Sequence, residues 1–160
     1  MPAVCFFTLN SQHMSSLFCP GFGGVPAFSG TDRYINDPNA TAVAEKGPLP
    51  MGTYYIVDRP SGGRLGSLEE GLRDVIAGTH RNEWFALYRS DGPIDDYTVI
   101  NGVRRGNFRL HPVGYWGKSD GCITLPNPEI FNRLRVWLKQ QKTGKIPGTQ
   151  TNYYGKVIVR

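Results

Sequence analysis

The sequence predicts a mixed, β-dominated domain with two short helices, and three observations lead there. Short runs rich in β-branched and aromatic residues recur along the chain. Turns separate them, drawn from 20 glycines and 12 prolines. Only two stretches carry a helical period. With 160 residues the chain has the size of one domain, residues 1–160, large enough to close a core without metal or disulfide staples.

Taken in order, Val4 to Leu9 reads as a strand, and the glycine-rich stretch from Gly21 to Gly30 as a second strand among turns. Asp37-Pro38-Asn39 is a turn, and Gly47-Pro48-Leu49-Pro50-Met51-Gly52 is another. The latter leads into Thr53-Tyr54-Tyr55-Ile56-Val57, an aromatic and β-branched strand. Ser67-Leu68-Glu69-Glu70 is a capping box, with Leu68, Leu72, Val75 and Ile76 on one face, so Ser67 to Ala77 reads as a short helix. Trp84 to Arg89 and Tyr97 to Asn101 are strands, and Asn101-Gly102 is a tight-turn signal. Asn127 caps the second helix with Pro128 at its first position, Ile130, Leu134, Trp137 and Leu138 as its apolar stripe, and Gly144 as its end. Tyr153 to Val159 closes the chain as a strand.

Charge and cysteines narrow the class. The net charge is +5, with much of the excess late: Arg133, Arg135, Lys139, Lys142, Lys145, Lys156 and Arg160. This fits either a solvated helix face or an acidic partner such as an anionic cell wall. No nucleic-acid motif accompanies it, so nucleic acid is not expected as a partner. No apolar run has the length of a transmembrane segment. The first residues lack a basic region, which reads against a Sec signal peptide. Cys5 and Cys19 fit either a disulfide in an oxidising compartment or two reduced core thiols. No Cys-x-x-Cys or His-x-x-x-His spacing is present, so neither a metal nor a cofactor is expected.

The chemistry concentrates in residues 109–125. Asn107 to His111 reads as a strand ending in histidine, Gly114, Gly117 and Asp120-Gly121 mark a loop, and Cys122-Ile123-Thr124-Leu125 reads as the next strand. A thiol leaving a glycine turn beside an imidazole at a strand end is a nucleophile with its base. His111, seven intervening residues, then Ser119-Asp120-Gly121-Cys122 resembles the catalytic motif of L,D-transpeptidases. In these, His precedes Ser/Thr-x-Gly-Cys on adjoining strands.

The likeness extends further. Ala27-Phe28-Ser29-Gly30, then Gly47-Pro48-Leu49-Pro50-Met51-Gly52-Thr53-Tyr54, then Arg105-Gly106-Asn107-Phe108-Arg109-Leu110-His111-Pro112 occur in the order found in a particular group. The chain resembles the L,D-transpeptidase-like effectors of bacterial type VI secretion systems. The resemblance implies an L,D-transpeptidase-like β-sandwich or barrel, a peptidoglycan stem-peptide substrate, and toxicity in the periplasm of a competing cell. It also implies delivery by the secretion apparatus, in place of a signal peptide, and a cognate immunity protein. Housekeeping L,D-transpeptidases commonly carry an arginine soon after the cysteine. Here Ile123-Thr124-Leu125 stands there, which leaves Arg109 or Arg105 to supply a substrate-facing charge.

These expectations assign roles. Cys122 is the nucleophile and His111 its base and later its acid. The backbone N–H groups of Gly121 and Cys122 form the oxyanion hole. Ser119 orients the imidazole or caps the loop. Tyr115 and Trp116 wall the stem peptide or pack the loop, and Tyr54 belongs to the pocket or to the core. The expected activity is that of a cysteine L,D-carboxypeptidase or L,D-transpeptidase. The alternatives are another thiol peptidoglycan hydrolase and a basic binding module that needs neither His111 nor Cys122.

Overall fold

The computed structural model describes residues 1–59, 83–114 and 121–160. The expected helix from Ser67 to Ala77, and Tyr115, Trp116 and Ser119, lie outside the described residues.

The strands build one large sheet because their buried positions alternate. In β1 (Ala3–Phe7), Ala3, Cys5 and Phe7 face inward, and in β12 (Gly155–Val159) the inward set is Gly155, Val157 and Val159. The two strands run parallel, with Cys5 opposite Val157. On one side β1 pairs antiparallel with β2 (Ser15–Cys19), and β2 with β3 (Gly23–Ala27). On the other side β12 pairs with β4 (Gly52–Asp58), then β4 with β5 (Phe85–Arg89), and β5 with β8 (Arg109–Pro112). A parallel pairing adds β9 (Ile123–Leu125) to β8.

The order β3-β2-β1-β12-β4-β5-β8-β9 then bends until its two edges meet. Phe28 and Thr124 exchange both backbone hydrogen bonds, at 2.9 and 2.8 Å. The result is a nearly closed barrel, the mixed β-dominated class expected. Closure satisfies edge groups that an open sheet leaves exposed.

The barrel core includes Phe7, Leu17, Tyr54, Ile56, Phe85, Leu110, Ile123, Leu125 and Val157. The helix α1 (Pro128–Lys139) adds Phe131, Leu134 and Leu138 to it. Its start follows the sequence: the Asn127 side chain accepts from the backbone N–H groups of Glu129 and Ile130, and Pro128 opens the first turn. Its end does not. The helix stops at Lys139, with Gln140 as its cap, and Gly144 belongs instead to β10 (Gly144–Lys145). That strand pairs with β11 (Asn152–Tyr153). A second small cluster, Tyr55, Val57, Ala86 and Ile146, covers the outer face of β4 and β5.

The Asn101-Gly102 signal marks a real hairpin. Asn101 and Gly102 adopt φ of 48° and 79°, and join β6 (Tyr97–Ile100) to β7 (Val103–Gly106). Cys5 and Cys19, on the paired strands β1 and β2, form a disulfide inside the barrel.

Candidate active site

The β8–β9 pair sets the geometry. Its parallel register places His111 opposite Thr124 and Leu110 opposite Ile123. Side chains alternate across a strand, so Leu110, Ile123 and Leu125 point to the core, and His111 and Thr124 share the other face. Cys122 lies in the bend immediately before β9, two residues ahead of Thr124, and so enters the strand that pairs with His111. The predicted nucleophile and base thus flank one strand pair, His111 within β8 and Cys122 immediately before β9.

His111 is held tightly. It is 5% exposed. Its Nδ1 lies 2.6 Å from the carbonyl oxygen of Pro112, and Nε2 lies 3.5 Å from Thr124 Oγ1. A carbonyl only accepts, so Nδ1 carries the proton and Nε2 keeps its lone pair. The ring stacks on Trp84, centroids 4.3 Å apart. Burial pushes the imidazole pKa down to about 4, against the pull of the Pro112 carbonyl and with the help of the Arg109 charge. At neutral pH His111 is therefore uncharged.

Cys122 leaves a turn that only glycine tolerates. Gly121 has φ of +83°, and a methyl group added there would sit 2.5 Å from an Arg105 guanidinium nitrogen and 3.1 Å from the Phe108 ring. Cys122 itself is 7% exposed. Its Sγ is 3.7 Å from the carbonyl oxygen of Asn107, a residue held at φ of 57°.

Two arginines supply the local field. Arg109 grips Asp96 with two hydrogen bonds of 2.8 Å, a bidentate fork. Burial opposes the Arg109 charge, but Asp96 outweighs it, Cys122 and Tyr88 add to that, and its pKa is raised. Arg105 is 3% exposed and donates to the backbone carbonyls of Thr41, Gly47 and Pro48. Tyr54 lies in the core at 0% exposed, its hydroxyl donating to the Pro50 carbonyl at 2.6 Å and its ring edge-on to Phe108. In this position it holds the proline turn.

Sequence reasoning missed Trp84, Asn107 and Thr124 as parts of the site. Thr124 had a signal, since the strand predicted from Cys122 to Leu125 puts it on the face of the cysteine. Trp84 and Asn107 had none, because their roles depend on how distant strands pair. Among the described residues no group of three or more His, Cys, Asp or Glu is arranged to hold a metal.

A thiol, an uncharged imidazole and the Arg109 guanidinium at the β8–β9 pair, with Arg105 reaching Gly121 from the β6–β7 hairpin, define a candidate centre for nucleophilic chemistry. The Tlde1 domain family matches residues 23–149, a span that holds every site element just described. The chain belongs to that family, a group of type VI secretion effectors delivered into target cells. Comparison with curated proteins and with solved structures gave no match.

Proposed function

We propose that this effector is a cysteine L,D-carboxypeptidase and L,D-transpeptidase of peptidoglycan. The observation that supports the reading is the β8–β9 pairing, with His111 within β8, Cys122 immediately before β9, Nδ1 committed to Pro112 and Nε2 left as the base. In this mechanism Nε2 takes the thiol proton as Sγ attacks the carbonyl between meso-diaminopimelate and the terminal D-Ala of a tetrapeptide stem. The oxyanion forms against the backbone N–H groups of Gly121 and Cys122. The imidazolium returns its proton to the departing D-Ala amine, and the carbon–nitrogen bond breaks, leaving a thioacyl-enzyme.

Water then releases a tripeptide, or an amine takes the acyl group. A free D-amino acid as the amine gives exchange, and a second stem gives a crosslink. Each fate consumes tetrapeptide donors, which accounts for toxicity in the periplasm of a target cell and for a cognate immunity protein in the producer. The Cys5–Cys19 disulfide supports an oxidising compartment as the place of action.

The test is mass spectrometry of purified tetrapeptide muropeptides incubated with wild type and with Cys122→Ala, with and without a D-amino acid. Loss or replacement of one D-Ala in the wild type alone is the expected result. Cleavage at another wall bond would reassign the enzyme to a different hydrolase class. Equal turnover by Cys122→Ala would end the thioacyl mechanism.

A further inference from the structure

Arg105 is the buried cation that the reaction above does not use. Burying a charge is costly, and a neutral donor would serve to tie a loop to carbonyls. Nothing in the 41–48 loop calls for a guanidinium in particular, since Thr41, Gly47 and Pro48 offer only backbone oxygens. Among the described residues no carboxylate forms a salt bridge with it, whereas Arg109 is neutralised by Asp96. Its position is specific: the guanidinium fills the space that a side chain at position 121 would occupy.

We propose that Arg105 is a positioning residue that sets the Gly121–Cys122 turn from below and holds the Cys122 thiol toward its thiolate form. The three carbonyls fix the guanidinium from one side, and the Phe108 ring lies 5.5 Å from its central carbon. Among the described residues, the charge faces no carboxylate, and it can stabilise the anion that forms when Cys122 loses its proton. The influence is mutual. Burial draws the Arg105 pKa below its usual value, and the Tyr54 hydroxyl and the Cys122 sulfur push it back. Among the described residues, His111 is neutral and Arg109 is matched by Asp96.

The proposal rests on Cys122 being the nucleophile but not on the bond it cuts. Its test therefore reads the thiol and not turnover. The pH titration of thiolate ultraviolet absorbance, taken as a difference against Cys122→Ala, gives the midpoint for Cys122 directly. The wild-type midpoint is expected below the ordinary thiol value of about 8.5. Arg105→Gln is expected to raise it by about one pH unit, tenfold less thiolate at a fixed pH below the midpoint. Arg105→Lys keeps the charge and is expected to stay within half of that shift.

An unchanged midpoint in folded Arg105→Gln overturns the proposal, and so does a lysine variant that shifts as far as the glutamine one. Should Arg105→Gln fail to fold, the lysine variant and the wild-type value decide. A wild-type midpoint at or above the ordinary thiol value, or a full-unit rise with lysine, overturns it. A titration that behaves as expected while the muropeptides stay intact refutes the substrate and leaves the role of Arg105 standing.

Discussion

The imidazole of His111 stacks on the indole of Trp84, with the planes 23° from parallel, and its Nδ1 is spent on Pro112. The burial that the indole helps provide makes the charged imidazolium expensive there. Trp84 also leaves its own Nε1 buried with no hydrogen-bond partner among the described residues. An unsatisfied buried donor costs about 1–3 kcal/mol, so the stack is kept at some expense to stability.

His111 makes stability depend on pH in a stated direction. Its folded pKa of about 4 lies below the ordinary 6.5, so between those values the unfolded chain holds a proton that the folded chain does not. Stability is fully present above pH about 6.5 and falls as the pH drops toward 4, by roughly 3 kcal/mol. Urea unfolding at a series of pH values should show this slope in the wild type and lose it in His111→Gln. Equal slopes in the two proteins would contradict the burial of the ring.

Trp84→Leu removes the stack and opens the ring to water. The His111 pKa should climb from about 4 toward 6.5, and the acidic limb of the activity profile should move up with it. An aromatic pair contributes about 0.5–1.5 kcal/mol beyond its buried area, so the variant should be measurably less stable as well. Imidazole resonances followed by NMR report the pKa directly.

Gly121→Ala should cost activity far more than a surface change. The residue must keep φ of +83° while its methyl group meets the Arg105 guanidinium at 2.5 Å. The left-handed backbone alone costs an L residue roughly 1–2 kcal/mol. With the nucleophile displaced by the shift, a loss of about 100-fold or more in turnover is expected, on the scale that misplacing a reacting group brings. Wild-type rates in a stable Gly121→Ala protein would show that the turn does not aim the thiol.

The Cys5–Cys19 disulfide spans 14 residues and ties β1 to β2. Loop-entropy arguments put its contribution at about 3 kcal/mol, less whatever the hairpin already constrains. Reduction, or Cys5→Ser with Cys19→Ser, should lower the unfolding midpoint while leaving the Cys122 reaction intact in folded protein. Thermal unfolding with and without reductant checks it.

Much of the scaffold was legible because its cues are local. Asn127 and Pro128 start α1 through a cap and a fixed φ, and Asn101-Gly102 turns the hairpin because both residues accept positive φ. Three features escaped. The strand β2 has an exposed Phe18 on its outer face, which spoils the apolar–polar alternation that marks a strand. The strand β7 contains the charged pair Arg104-Arg105, which carries no apolar signal, yet Arg105 is buried by carbonyls 57 to 64 residues away. Gly144 suggested a helix end, but the last turn closes earlier, where the Gln140 N–H already finds the Val136 and Trp137 carbonyls.

The candidate site divides along the same line. That a histidine ends one strand and a cysteine leaves a glycine turn into the next follows from residue identity, because strand period and positive φ are properties of a few consecutive residues. That β8 and β9 run parallel with His111 opposite Thr124 is different in kind, as is the closure of the barrel by Phe28 on Thr124. So are the Trp84 ring over His111 and the Arg105 charge under Gly121. Those relations bring together residues far apart along the chain, and their free energy comes from filling one shared core and satisfying its buried polar groups. No short stretch of sequence carries that information, because no short stretch makes the contacts.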